Sequence, residues 1–425
     1  MLRCTPRAVR PGIALAAFVV SLALAGGVAP RAGAALLPHC TGANVSGVAS
    51  SLQGLAQGVW TGDTGGGFNA SAVGCASAPT VSVGSNGHCL LDWHADGTAF
   101  DTSFALCGSD APPTTTQIST VNAPVATGGA QTSVLSIPVA QSAIAIAVNP
   151  PSGCTITTAT AATVERVFRG TVTTWAGLGA TGCGSATITP VVRGDWDGET
   201  YQFKHWLTTQ FNGTVTTSPN RTWADLQVSS TNSVWPGSPI VSKSGCTMSG
   251  TCHASGGFGD EDEVQTVGAH EGSIGYAALW AVRKKYIIHT YPNLKWITIH
   301  QGFTVTDPST NGLATTYARS NCPSATSAYG FPPPVTITWS GVYETTPGSA
   351  YPICTLTYAL AFTDYRTRWG ATTGQTTATT VHDYLNYVVS TTGGQTDALA
   401  SNNDYAPLPS DLRHAATTGV AQISD

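Results

Sequence analysis

The chain is 425 residues long, 42% hydrophobic and only 10% charged, with 47 glycines and 25 prolines. That composition excludes a highly charged disordered chain, and the length suits two or three domains. Eighteen basic against 23 acidic residues, a net charge of −5, argue against a nucleic-acid protein, which would need a basic face.

In chain order, residues 1–34 read as an export signal. Arg3, Arg7 and Arg10 make a positive start, residues 13–25 an apolar run too short to span a bilayer, and Ala32-Gly33-Ala34 a small-residue cleavage site. Cys40 follows His39 rather than a small residue, which argues against a lipid anchor. Cleavage would remove four arginines and no acid. The basic count would fall from 18 to 14 and the net charge would become −9. Residues 80–83 then read as a strand closed by the turn Gly84-Ser85-Asn86-Gly87. Residues 143–148 (AIAIAV) read as a buried strand stopped by Asn149-Pro150-Pro151. Residues 163–168 look helical up to Gly170, and 187–192 read as a strand. A turn over 193–198 leads into a helix over 199–207. Residues 260–267 make an acidic helix start, 272–282 a strand or helix, and 296–299 a strand. Residues 307–334 are rich in Ser, Thr, Pro and Gly and predict a long surface loop. Over 379–389, Val381, Tyr384, Leu385 and Val388 mark a helical face. Strands alternating with helices predict an α/β fold.

The cysteines fit export. Cys4 leaves with the signal, and ten remain, an even number that reads as disulfides in an exported chain. No C-x2-C pair supports a zinc site. Cys246 and Cys252, flanked by Gly and Ser, suit a local bridge.

The chemistry concentrates in VVRGDWDGETYQF, residues 191–203, a strand, a turn and a helix start. A helix N-terminus exposes free N–H groups and the positive end of its dipole, so an anion can sit there. Arg193 offers a fork to a tetrahedral oxyanion. The turn at Ser85 offers a hydroxyl, and Gly108-Ser109-Asp110-Ala111-Pro112 offers a carboxylate that can accept the proton of a protonated oxyanion.

Taken in order, these pieces resemble the phosphate-binding proteins of ABC transporters. The stretches are SSLQ (50–53), VGSNG (83–87), FALCGSDAP (104–112), IPVAQSAIAIAVNPP (137–151), VERVFRGTVTTWAGL (164–178), ITPVVRGDWDGETYQFKHWL (188–207), EGSIGYA (271–277) and DYAPLP (404–409). The resemblance implies a two-lobed periplasmic-binding-protein-like fold of type II, with a central sheet in each lobe and two hinge crossings, near 143–151 and 275–285. It places lobe I at 35–144 and 285–425 and lobe II at 145–284. Cysteine parity agrees, with six in lobe I and four (Cys154, Cys183, Cys246, Cys252) in lobe II. It implies Ser51 and Ser85 as hydroxyl ligands, Leu52 and Gly198 as backbone donors, and Asp110 as proton acceptor. It also implies Arg193 as charged donor, with Asp195 holding its fork. The implied ligand is inorganic phosphate or a similar oxyanion, and the implied partner an ABC permease, for a monomer without cofactor, metal or catalytic residue.

Two positions depart from the family pattern. Asp197 and Glu199 stand where hydroxyl residues usually flank the glycine. Unit charges about 4 Å apart interact at about 4 kcal/mol at an effective dielectric of about 20, so carboxylates facing a phosphate oppose it. Asp197 suits an N-cap and Glu199 the first turn of a helix. Otherwise the solute differs, or the fold serves as a cell-surface interaction protein with none. Other motifs carry less. Asp195-x-Asp197-x-Glu199 lacks the later Glu of a calcium loop, where Trp206 stands. No nucleophile elbow, P-loop or zinc-protease pair supports an exported hydrolase. The histidines and tryptophans read as core or surface residues.

Overall fold

The computed structural model describes residues 40–424 apart from 63–66, 69–78, 84–89, 91, 96, 194–197, 216–221, 226–240, 243–258, 288–289, 314–317, 331, 344–347 and 397–402. The export signal, the turn at Ser85 and the Cys246–Cys252 bridge lie outside these residues.

The first elements are strand β1 (Val45–Ala49), a 3-10 turn at Ser51–Gln53, helix α1 (Gly54–Trp60), β2 (Pro79–Val83) and β3 (Leu106–Ser109). β1 pairs in parallel with both β2 and β3. Helix α2 (Thr115–Val121) starts at a capping box: Gln117 N–H donates to the Thr114 hydroxyl, and Thr114 N–H donates to the Gln117 side chain. Next comes β4 (Val134–Asn149), 16 residues long and buried throughout. The sequence marks only its second half, because Ser136, Pro138, Gln141 and Ser142 interrupt the apolar run of the first. Gln141 is nonetheless buried, since its amide donates to Pro407 O and its carbonyl accepts from the Tyr329 hydroxyl.

Beyond β4 lie β5 (Thr158–Thr160), α3 (Ala161–Phe168), α4 (Trp175–Leu178), β6 (Thr189–Val192) and α5 (Gly198–Gln210). They are followed by β7 (Val241–Ser242), α6 (Asp260–Ala269), β8 (Ser273–Ala278), α7 (Leu279–Ile287), β9 (Lys295–Gln301) and β10 (Thr304–Thr306). Residues 272–282 thus hold both a strand and the start of a helix. The chain ends with β11 (Cys354–Phe362), α8 (Arg366–Trp369), α9 (Ala371–Val389), β12 (Tyr405–Ala406) and α10 (Ser410–Val420). The described part of 307–334 holds one 3-10 turn, Thr326–Ala328, and is not only a surface loop. Ser309, Ser320 and Tyr329 are buried, and the Ser320 hydroxyl accepts from Ala143 N–H, tying the stretch to β4.

The main path of the sheet runs β2-β1-β3-β11-β4-β8-β6-β7. Strand β4 joins its two halves. Residues 134–143 lie antiparallel to β11, and residues 144–149 lie antiparallel to β8. This is the mixed α/β, two-lobed arrangement with two central sheets, here made continuous through one strand. Burial of both faces of β4 explains its small and branched side chains. The carboxyl ends of β1, β3 and β6 lead directly to Ser50–Ser51, Asp110 and Arg193, the place where ligands bind in open α/β sheets.

Candidate functional site: an arginine among carboxylates

Arg193 leaves the end of β6 and is 2% exposed. Its Nη1 donates to the Ser51 hydroxyl at 3.2 Å and to Glu199 Oε2 at 3.0 Å, and Asp260 Oδ1 stands 3.8 Å away. Glu199 and Asp260 are fully buried. Asp260 is the first residue of α6, and its Oδ1 accepts from Ala278 N–H at 2.8 Å. One guanidinium therefore faces two carboxylates within 4 Å. The Arg193 backbone is held as well, because its N–H donates to the Tyr276 hydroxyl at 3.3 Å. The same hydroxyl shares a hydrogen bond of 2.5 Å with Thr200 Oγ1.

Two glycines bring the walls together. A Cβ on Gly198 would lie 2.4 Å from Asp110 Cβ and 2.5 Å from its carbonyl carbon. Only glycine lets the first turn of α5 approach the end of β3 so closely. Gly259 has a φ of +89°, and a Cβ there would meet Ser51 Cβ at 2.3 Å. The α5 N-terminus, the Asp110 carboxylate and the Arg193 fork thus share one small region.

Asp110 is fully buried and held from behind. The Thr357 hydroxyl donates to its Oδ1 at 2.7 Å. Gln53 Nε2 donates to that hydroxyl and to Tyr358 O at 2.8 Å. Gln57 Nε2 donates to Gln53 Oε1 at 2.8 Å, and the Tyr384 hydroxyl donates to Gln57 Oε1 at 2.7 Å. A buried chain of this kind locks the carboxylate into one pose. Leu52 is buried, and its carbonyl accepts from the Tyr405 hydroxyl. Burial, and then the charges of Asp110, Asp260 and Glu199, push the Tyr405 phenol well above its ordinary range, so it stays a neutral donor.

Of the residues singled out in the sequence, Ser51, Leu52, Asp110, Arg193, Gly198 and Glu199 come together here. Ser85, Asp195 and Asp197 lie outside the described residues. Among the described residues, Ser51, Glu199 and Asp260 stand against Arg193. Sequence reasoning missed Gly259, Asp260, Thr357 and Tyr405 as parts of the site. The acidic start at 260 and the DYAPLP stretch were the available signals for two of them. His270 is structural, its Nδ1 lying 2.8 Å from Thr266 O. Trp60, Trp93 and Trp175 are core residues.

The chain was compared with known proteins at the level of family, sequence and structure. A family model described as a PBP superfamily domain matches residues 101–392. No curated protein sequence matches significantly. A high-affinity periplasmic phosphate-binding protein, solved with phosphate bound, is similar at a TM-score of 0.58 and 17% identity, covering 88% of this chain and 93% of that one. A phosphate-binding protein from Stenotrophomonas maltophilia is similar at a TM-score of 0.59 and 15% identity, with coverages of 88% and 93%. A human phosphate-binding apolipoprotein is similar at a TM-score of 0.58 and 19% identity, with coverages of 88% and 94%. At such identities the likeness speaks for the fold. The family match spans well over half the chain, and with it the chain belongs to the PBP superfamily.

Proposed function

We propose that the chain is an exported receptor, not an enzyme, that captures phosphate or a related oxyanion between its lobes for uptake through an ABC permease. The observation that carries this reading is the meeting of Arg193, the Ser51 hydroxyl, the N-terminus of α5 at Gly198 and the buried Asp110 around one point. These are a charged fork, a hydroxyl, backbone donors and a proton acceptor, the set a partly protonated tetrahedral oxyanion needs. Ser85 and Asp195 complete the proposed ligand set. Lobe I comprises 35–144 and 285–425, and lobe II comprises 145–284. The change of partner along β4 at residues 143–144 supports that boundary. So do the bridges Cys154–Cys183 and Cys322–Cys354, each of which stays within one proposed lobe.

Calorimetry on protein stripped of phosphate tests the reading. Binding at one site per chain is expected with phosphate and arsenate, and no heat with either overturns it. N-terminal sequencing of secreted protein is expected to start at Ala35.

One observation favours a second reading. Glu199 already places a carboxylate on Arg193 at 3.0 Å. In that reading the fold carries a different solute or none and serves as a surface interaction protein. Phosphate binding that appears only after Asp197→Ser with Glu199→Thr would favour it.

A further inference from the structure

We propose that Glu199 makes capture in this cleft proton-coupled. The species taken is the doubly protonated, singly charged oxyanion, dihydrogen phosphate rather than hydrogen phosphate. The inference rests on the phosphate reading of the cleft and deepens it.

The donors and acceptors around Arg193 lead there. Arg193 Nη1 donates to both Ser51 Oγ and Glu199 Oε2. The Ser51 hydroxyl accepts there and keeps its own hydrogen to donate. Any oxyanion that reaches this nitrogen therefore lies against Glu199. An ionised carboxylate has no hydrogen to give and only accepts. A bare phosphate oxygen against it is repelled, whereas a phosphate hydroxyl donates to it. Asp110, across Gly198, is a second acceptor-only wall. One phosphate hydroxyl can satisfy one carboxylate, so two carboxylates call for two hydroxyls. Hydrogen phosphate carries one, and it gains the second by taking a proton from solvent. A hydroxyl residue at 199 can donate to a bare oxygen and removes that requirement.

Charge works in the same direction. Titratable groups around Glu199 include Arg193, which it pairs with, Asp260 on the same guanidinium, and Tyr405, which feels the charges of Glu199, Asp260 and Asp110 together; buried Glu263 lies a turn beyond Asp260 on α6, and Tyr276 bonds the neighbouring Thr200. On its own helix Lys204 is buried further along α5. Glu199 and Asp260 already oppose the single guanidinium within 4 Å. A monoanion adds less like charge to this cluster than a dianion does.

The test is the pH dependence of phosphate affinity, measured by calorimetry in buffers of different ionisation enthalpy. The native chain is expected to lose affinity about tenfold per pH unit over about pH 7.5 to 9, as dihydrogen phosphate disappears, with uptake of about one proton per hydrogen phosphate bound. Glu199→Thr is expected to bind more tightly and to flatten this profile. Glu199→Gln, of the same shape, is expected to do so too, with thermal melts confirming that both variants fold. Arsenate is expected to compete. A tight but pH-independent native chain without proton uptake overturns the proposal and leaves the phosphate reading standing. Absence of phosphate binding at every pH in the native chain and both variants removes that reading and the proposal together. Binding only in the Glu199 variants overturns the proposal in favour of a changed solute.

Discussion

Among the described residues two arginines are almost completely buried, and their surroundings differ in kind. Arg283 on α7 is fully buried and holds Asp404, its Nε 2.9 and 2.8 Å from the two oxygens, with Asp307 near enough to feel its charge. Its other nitrogens donate to Gly312 O at 3.2 Å and to the Ser309 hydroxyl, and its guanidinium carbon lies 4.8 Å from the centre of the Trp296 ring. Burial still lifts the Asp404 carboxyl to about 6 against the pull of Arg283. The pair thus offsets only part of the cost of leaving water. Arg193 instead faces two carboxylates and a hydroxyl at the meeting of β6, α5, α6 and the Ser51 turn. One arginine staples a loop to the frame. The other gathers groups from separate elements at the carboxyl ends of the strands. Buried charge alone does not mark a binding site, whereas its place at the strand ends points to one.

That contrast can be broken most forcefully at Arg193. Arg193→Ala is expected to abolish phosphate binding, by about 100-fold or more in calorimetric affinity, since a charge-assisted fork is lost. Asp404→Ala is expected to unfold the protein more easily by about 3–5 kcal/mol in denaturant titration, because Arg283 is left buried without its partner. Phosphate affinity should hardly change, which separates the staple from the site. Gly198→Ala places a methyl 2.4 Å from Asp110 Cβ. A stability loss of about 1–3 kcal/mol is expected from overpacking, with weaker ligand binding measured in parallel. Thr357→Val keeps the shape but removes the hydroxyl that donates to Asp110 at 2.7 Å. The expected cost is about 1–2 kcal/mol in a chemical melt, with a modest loss of phosphate affinity as Asp110 loses its fixed pose.

Much of the frame was legible in the sequence. The helical periodicity of Val381, Tyr384, Leu385 and Val388 reappears on α9, where all four are buried. The strand-turn-helix around 191–203 is β6 followed by α5. The first half of β4 was hidden because polar residues there are satisfied by distant partners, as Gln141 is by Pro407 and Tyr329. The stretch 307–334 looked like surface for the same reason: Ser320 and Ser309 are buried by hydrogen bonds to β4 and Arg283, contacts with no local signature.

The site divides along the same line. The sequence by itself determined the local chemistry: an arginine ending a strand, a glycine opening a helix, acids beside it, and hydroxyl and carboxylate turns elsewhere. These are properties of neighbouring residues, set by strand period, turn preference and helix-end electrostatics. Only the tertiary structure decided which acid meets Arg193 and what holds Asp110. Ser51 lies 142 residues from Arg193 along the chain, and Thr357 lies 247 from Asp110. Contacts at such separations carry no sequence period. They exist because β4 runs through both halves of the sheet and brings the ends of β1, β3 and β6 to one buried cluster, where burial makes every charge count.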